Sequence, residues 1–309
     1  MEKVIVTGGA GFIGSHLAEE LARRGYQVTI LDDLSTGEME NIKELLKKGS
    51  VQFIQDSITN FSLLKELFQG AIYVFHQAAL PSVPRSIKDP LAASEVNITG
   101  TLNVLLAARD NKVRKVVYAS SSSVYGDTPT LPKKEDMVPH PQSPYAVSKL
   151  AGEHYCRVFQ EVYGLATACL RYFNVYGPRQ NPDSQYAAVI PRFIRWASEG
   201  SPLIIFGDGE QTRDFTFIAD AVEANILAAE SNASGVFNIG RGKSITINEL
   251  AKLVIKLTGN NVEPVHQEPR EGDIRHSLAD ISKAKTLGYE PRYNLEEGLE
   301  ETRKFHHEE

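Results

Sequence analysis

Sulfur and tryptophan are scarce in this chain, whose 309 residues hold two cysteines, three methionines and one tryptophan. Cys156 and Cys169 stand apart without metal-ligand spacing, so they read as small buried hydrophobes rather than as a disulfide or metal site. No metal is expected, and so few thiols fit a reducing cytoplasm. Positive charge is not in excess either. Lysine and arginine total 33 against 39 acidic residues, for a formal net charge of -6 and a pI near 5.8. With no basic stripe anywhere, that balance argues against a nucleic-acid or anionic-membrane surface. No apolar run approaches the roughly 18 to 20 residues of a bilayer span, and the first residues enter a strand without a signal segment. Internal repeats and low-complexity stretches are missing too. The expectation is a cytoplasmic protein with no membrane or nucleic-acid partner.

What is present is a large apolar core with a regular alternation. Hydrophobic residues make up 42% of the chain, and its length suits about two domains of about 150 residues each. Strand-like runs at Gln27 to Leu31, Val51 to Gln55, Tyr73 to Gln77, Lys115 to Ser120 and Ala166 to Phe173 are separated by helical patterns such as Leu91 to Arg109 and Ala146 to Tyr163. Near-continuous apolar strands between helices predict an α/β fold, a doubly wound parallel (Rossmann) sheet buried on both faces. From about Gly177 the prolines 178, 182, 191 and 202 punctuate shorter elements. The expected division is 1–176 for the sheet domain and 177–309 for a smaller substrate-binding α/β part. Phe237-Asn238-Ile239-Gly240 reads as a strand that can return to the main sheet.

The first strand, Val4 to Thr7, runs into Gly8-Gly9-Ala10-Gly11-Phe12-Ile13-Gly14 and then into a helical pattern carried by Ile13, Leu17 and Leu21. Strand, glycine turn and helix form a dinucleotide cradle, because bare glycines let the backbone approach a pyrophosphate at a helix N-terminus. A second strand ends in Asp32-Asp33 about 20 residues later, where a carboxylate receives the ribose hydroxyls of adenosine. Asp32 is the expected contact. It would repel a 2′-phosphate, and no arginine lies in Asp32 to Gly37, so NAD is favoured over NADP.

Two further segments carry chemistry. The strand from Lys115 delivers Ser120 to Ser123 to the carboxyl edge of the sheet, where doubly wound folds bind ligands. Tyr145 follows the helix-entry pair Ser143-Pro144 and stands one turn before Lys149 on one helix face. An ammonium beside a phenol favours phenolate, which predicts a general base at Tyr145. A serine hydroxyl, at Ser121, Ser122 or Ser123, can hold the reacting oxygen.

With these residues stated, the chain resembles the extended short-chain dehydrogenase/reductases, and within them the UDP-glucose/UDP-N-acetylglucosamine 4-epimerases. The likeness runs over nearly the full length, through Thr7 to Gly14, Leu31 to Ser35, His76-Gln77-Ala78-Ala79, Asn97, Ser121 to Gly126, Tyr145 to Lys149, Arg171 to Pro178, Arg213-Asp214-Phe215 and Arg270 to Asp273. It implies that Gly8, Gly11, Phe12, Ile13, Gly14, Asp32, Asp33, Asp56, Ser57, Ala78, Ala79 and Asn97 surround NAD. Tyr145 would be the base, Lys149 would hold the nicotinamide ribose, and Ser121 would bond the sugar O4 beside Ser122 and Ser123. Asn174, Arg213 and Arg270 would bind sugar and diphosphate, Phe206 would belong to the uracil pocket, Val189 and Ile204 would be further substrate-binding residues, and Asp273 would meet the uridine ribose. The implied reaction oxidises C4 transiently to a ketone, turns the sugar, and returns the hydride to the other face. A homodimer is implied as well, through the helices at 91–109 and 146–163.

The competing readings are distinguished by single positions. UDP-galactose epimerases commonly carry a lysine in the segment that reads Leu80-Pro81-Ser82-Val83-Pro84-Arg85-Ser86 here, which moves the likeness toward the N-acetylhexosamine enzymes. Ser277 occupies the place where enzymes restricted to plain sugars resemble one another in carrying a bulky aromatic. Dehydratases and decarboxylases of this type carry an acidic residue in the serine run, and Ser122 and Ser123 are neutral. A UDP-glucuronate 4-epimerase shares the serine run. A non-catalytic NAD-binding protein need not keep Ser121, Tyr145 and Lys149 together. The expected function is interconversion of UDP-GlcNAc and UDP-GalNAc, with UDP-Glc and UDP-Gal also accepted.

Overall fold

The computed structural model describes residues 1–182, 188–269 and 274–308. Apolar runs of five to seven residues form the main sheet, ordered as the Gly235–Ile239 strand, β6 (Ala166–Tyr172), β5 (Lys115–Ser121), β4 (Ala71–His76), β1 (Lys3–Thr7), β2 (Gln27–Asp32) and β3 (Val51–Gln55). Every pairing in it is parallel. The chain builds β1, β2 and β3 outward in one direction and then returns to place β4 on the other side of β1. The order therefore reverses between β1 and β4, and in such sheets the crevice opens at that reversal.

Two layers of helices cover the faces. On one side α1 (Phe12–Arg23) buries Leu17, Ala18 and Leu21 in a core continuous with Val6, Ile30 and Phe75. On the other, Val104, Leu105, Ala107 and Ala108 join Ile5, Val74 and Val116. Those four come from a helical run, Pro90–Asp110, which the sequence pattern foresaw as one element but which contains a π turn at Glu95–Gly100. It is 21 residues long and holds an 18-residue window of mean hydropathy 1.2, which is the length and apolarity of a membrane span, contrary to the expectation that no run would reach it. The apolarity is used against the sheet, where the four residues above are fully covered. The helix Pro144–Tyr163 packs beside it and starts at a cap in which Ser143 accepts from the Ala146 amide, with Pro144 in its first turn.

The two cysteines, distant in sequence, are neighbours: Cys156 on that helix and Cys169 on β6 are buried in the same apolar cluster and interact through their thiols. The later part of the chain adds short strands and helices, including Leu203–Phe206, Thr212–Asp214 and the helix Ile247–Thr258. Asp214 secures this region. Its carboxylate is fully buried and accepts from the amides of Arg241 (2.8 Å), Gly242 (3.0 Å) and Ala279 (3.1 Å), and burial pushes its pKa up to about 6.

Candidate active site

A cleft of about 680 Å³ opens at the carboxyl ends of β1 and β4, where the strand order reverses. Its floor is the glycine turn. Gly8 has φ +70°, and a Cβ there would lie 2.6 Å from the Ala78 amide nitrogen. A Cβ on Gly14 would lie 2.1 Å from the Gly8 carbonyl oxygen, so only glycine lets α1 start this close to β1. Gly11 caps α1 without any side-chain acceptor, and no acidic residue occupies the first turn. The positive end of a twelve-residue helix thus meets the cleft wall made by Gly11, Phe12, Ile13 and Gly14. These residues fit a dinucleotide pyrophosphate, which supplies the acceptors that the first-turn amides of Phe12, Ile13 and Gly14 lack.

Asp32 and Asp33 both line the cleft. Asp32 accepts from the Ala10 amide at 3.0 Å and the Leu34 amide at 2.8 Å, which leaves lone pairs for ribose hydroxyls, and its burial raises its pKa. Asp33 is exposed and accepts from the Ser35 amide at 2.9 Å. Asp56 and Ser57 follow β3 on the same wall, with Asp56 accepting from the Ser57 amide and from Asn60. Ala78 and Ala79 follow β4 on the opposite side. Asn97 is elsewhere. Its amide is buried behind the wall, where it accepts from the Leu80 amide at 2.7 Å and donates to the Leu80 carbonyl and the Ser148 hydroxyl. It therefore shapes the Leu80-Pro81 wall instead of lining the cleft.

Tyr145 and Lys149 reach the cleft from the Pro144–Tyr163 helix, and Ser121 ends β5 beside them. The Ser121 hydroxyl accepts from the Ser123 amide at 3.1 Å and lies close enough to the Tyr145 phenol to lower its pKa. Ser122 opens the short turn Ser122–Tyr125, and the buried Ser123 hydroxyl has no hydrogen-bond partner among the described residues. Of the three serines, Ser121 is the one that acts on Tyr145. Lys149 is buried, donates to the Ala119 carbonyl at 2.9 Å, and lies 5.8 Å from the Tyr145 ring centre. The expected depression of the Tyr145 pKa by that ammonium is not what this structure holds. Burial raises the phenol, against a smaller lowering from Ser121. Burial also brings Lys149 itself down to about 8.

The substrate-side residues converge from three segments. Asn174, at φ +36°, donates to the Asp214 carbonyl at 3.0 Å, while the Ser277 amide donates to Thr212 at 3.1 Å, so Asn174, Arg213 and Ser277 gather around the strand Thr212–Asp214. Ser277 is buried. Ile204 and Phe206 lie on the adjoining strand Leu203–Phe206, and Val189 opens the helix Val189–Ser198 just after Ala188 on the cleft wall. Arg270 and Asp273 fall outside the described residues.

The cleft also uses residues the sequence pattern did not single out for it. Gln77 and Tyr172 meet across it, their side chains joined to each other at 3.3 Å and to Asn225 at 2.9 and 3.1 Å. Gln77 immediately follows β4 and Tyr172 ends β6, so their place at strand carboxyl ends was the available signal. Gln180 and Asn181 close the far side, with Asn181 donating to Glu38 at 2.8 Å. Nothing in their sequence context announced that.

Known proteins with this arrangement are nucleotide-sugar enzymes. The chain is 42% identical to a UDP-N-acetylglucosamine 4-epimerase of Methanobrevibacter ruminantium M1 solved with UDP-N-acetylmuramic acid, with a TM-score of 0.97 over 99% of this chain and 98% of that one. It is 40% identical over 308 residues to a UDP-glucose 4-epimerase of Mycolicibacterium smegmatis, covering 98% of each. It is also 38% identical to a UDP-glucuronic acid 4-epimerase of Bacillus cereus solved with UDP-glucuronic acid and NAD, with a TM-score of 0.92 over 99% of each chain. Residues 4–240 match the NAD-dependent epimerase/dehydratase family. With its glycine cradle, parallel sheet and Ser121-Tyr145-Lys149 set, the chain belongs to that family and is an extended short-chain dehydrogenase/reductase.

Proposed function

We propose that the protein is an NAD-dependent UDP-sugar 4-epimerase that interconverts UDP-GlcNAc and UDP-GalNAc and accepts UDP-Glc and UDP-Gal more weakly. The observation that carries the reaction is the placement of Tyr145 and Lys149 on the wall of the dinucleotide cleft, with Ser121 close to the phenol. Bound NAD supplies the acceptor and donor of the C4 hydride. Tyr145 takes the O4 proton as the alcohol becomes a ketone and gives it back from the same atom on return. Ser121, whose lone pair is engaged by the Ser123 amide, keeps its proton available for the phenol or the sugar oxygen. Lys149 holds positive charge beside the base. The small side chain at Ser277 supports the acetylated substrate, as does the likeness to the M. ruminantium enzyme. Exposed Ile87, Leu91, Val147, Val158, Val162 and Tyr163, on and beside the two neighbouring helices, support a homodimer. A cytoplasmic location completes the proposal.

A second reading, UDP-glucuronate 4-epimerase, is favoured by Arg85. It lines the cleft, and its side chain has no hydrogen bond or ion pair among the described residues, so it offers a cation to an acidic sugar. Incubation of the purified protein with UDP-GlcNAc, UDP-Glc and UDP-glucuronate, followed by separation of the products, decides between them. Fastest turnover of UDP-GlcNAc without added NAD is expected. Turnover of UDP-glucuronate alone would replace the first reading with the second, and steady accumulation of NADH would remove both.

A further inference from the structure

Glu153 is buried to 5% exposure on the Pro144–Tyr163 helix, and its carboxylate binds two other elements at once. Oε1 accepts from Arg171 Nε at 2.8 Å and from the Ser120 hydroxyl at 2.5 Å, while Oε2 accepts from Arg171 Nη2 at 2.7 Å. Arg171 in turn lies 4.6 Å over the Tyr125 ring, whose hydroxyl donates to Asn238 at 2.7 Å. A buried ion pair of this kind is weak evidence for stability, because desolvation offsets most of the attraction. Its location is more telling. Ser120 immediately precedes Ser121, Arg171 stands on the strand that leads to Asn174, and Glu153 follows Lys149 by one helical turn on the face that also bears Tyr145. The elements that carry the base, the serine and Asn174 all meet at one carboxylate.

We propose that Glu153 is a positioning residue for the reaction, acting through Ser120 to hold β5 against the helix so that the Ser121 hydroxyl meets the Tyr145 phenol. This deepens the epimerase reading and rests on it. The other side-chain hydrogen bonds between the two elements are few: Lys149 to Ala119 at 2.9 Å and the long Tyr118 contact to the Lys149 carbonyl at 3.4 Å. Glu153–Ser120 is the one among them made entirely by residues outside the Ser121-Tyr145-Lys149 set.

Ser120→Ala tests this while leaving the ion pair intact, with Glu153→Gln as the stronger companion. Small misplacements of reacting groups cost up to about 10² in rate. Ser120→Ala is therefore expected to lower kcat by about 10-fold or more, with the KM for the UDP-sugar, the bound NAD and the melting temperature kept. Ser120→Thr should restore the rate. The Tyr145 phenol, read as the ultraviolet difference between each protein and its Tyr145→Phe counterpart, should titrate at higher pH in Ser120→Ala. A kcat within twofold of wild type overturns the proposal. So does a loss of rate that comes with matching losses of NAD and thermal stability, which is what a purely structural role gives. If the wild type turns over no UDP-sugar, the epimerase reading fails by itself. The phenol titration needs no substrate, and an unmoved Tyr145 in Ser120→Ala would then sink the positioning role separately.

Discussion

Lys149 and Tyr145 are neighbours that no hydrogen bond joins: the ammonium donates to the Ala119 carbonyl at 2.9 Å and lies 5.8 Å from the centre of the phenol ring. Burial dominates at the phenol, which stays protonated at neutral pH. Added positive charge in the cleft, such as bound NAD carries, would favour the phenolate. Protein stripped of cofactor should therefore show the Tyr145 ultraviolet transition above pH 10, and the transition should move down when NAD is added. A stripped protein already holding Tyr145 as phenolate at pH 8 would contradict this order of events.

Tyr145→Phe removes the base and little surface. Loss of a general base typically lowers the rate by about 10² to 10⁴. Turnover should fall in that range while NAD content and UDP-sugar affinity, measured by calorimetry, stay near wild type. Residual activity within a few-fold would take Tyr145 out of the mechanism.

Lys149 sets function against stability. Burial lowers its pKa from 10.5 to about 8, so the folded protein binds this proton more weakly than the unfolded chain does. The cost of the buried ammonium is full below about pH 8 and disappears as pH rises toward 10.5, on the order of 3 kcal/mol at most. Lys149→Met should therefore unfold at a higher denaturant concentration than wild type at pH 7, with the difference shrinking toward pH 10, and should lose most of its activity. A variant less stable at pH 7 and unchanged in relative stability at pH 10 would show that the ammonium is not under this strain.

The sheet was legible because its inner strands are buried on both faces and so read as near-continuous apolar runs, as in Lys3–Thr7 and Ala71–His76. The placement of Ser121 beside Tyr145 and Lys149 was legible because a strand end and a helical i, i+4 spacing fix where these residues point. Side-chain partners were not. Whether Lys149 turns to Tyr145 or to Ala119, and whether Asn97 faces the cleft or Leu80, is decided by acceptors from other elements. The pairing of Cys156 with Cys169 is another such case, since the register of a helix over a strand appears in neither segment alone.

Gly14 tests the cradle. An alanine there would put its Cβ 2.1 Å from the Gly8 carbonyl oxygen, a backbone atom that cannot move without disturbing β1 or the turn. Gly14→Ala should lose most of its bound NAD and lower the melting temperature, whereas Gly25→Ala, where nothing lies within 4 Å but φ is +89°, should show only the strain of its backbone and keep its NAD. Full NAD content in Gly14→Ala would mean that the helix start is looser than its contacts require.

Ser277 bears on the choice of sugar. It sits in a strap fixed at both sides, its own amide donating to Thr212 at 3.1 Å and the Ala279 amide donating to the buried Asp214 at 3.1 Å. A residue held in place this way cannot swing aside for a larger substrate, so side-chain volume at 277 acts directly on whatever space adjoins it. Steric exclusion by a bulky ring can be nearly complete, whereas an open pocket gives up only about 1 to 3 kcal/mol of contacts to a smaller sugar. Ser277→Tyr should suppress UDP-GlcNAc turnover by a large factor and spare UDP-Glc within a few-fold. Because Ser277 is buried, the same variant should be checked by its melting temperature, and equal losses on both sugars would show that the ring disturbs the strap without gating the site. A wild type that epimerises UDP-Glc but not UDP-GlcNAc would end the gate idea altogether.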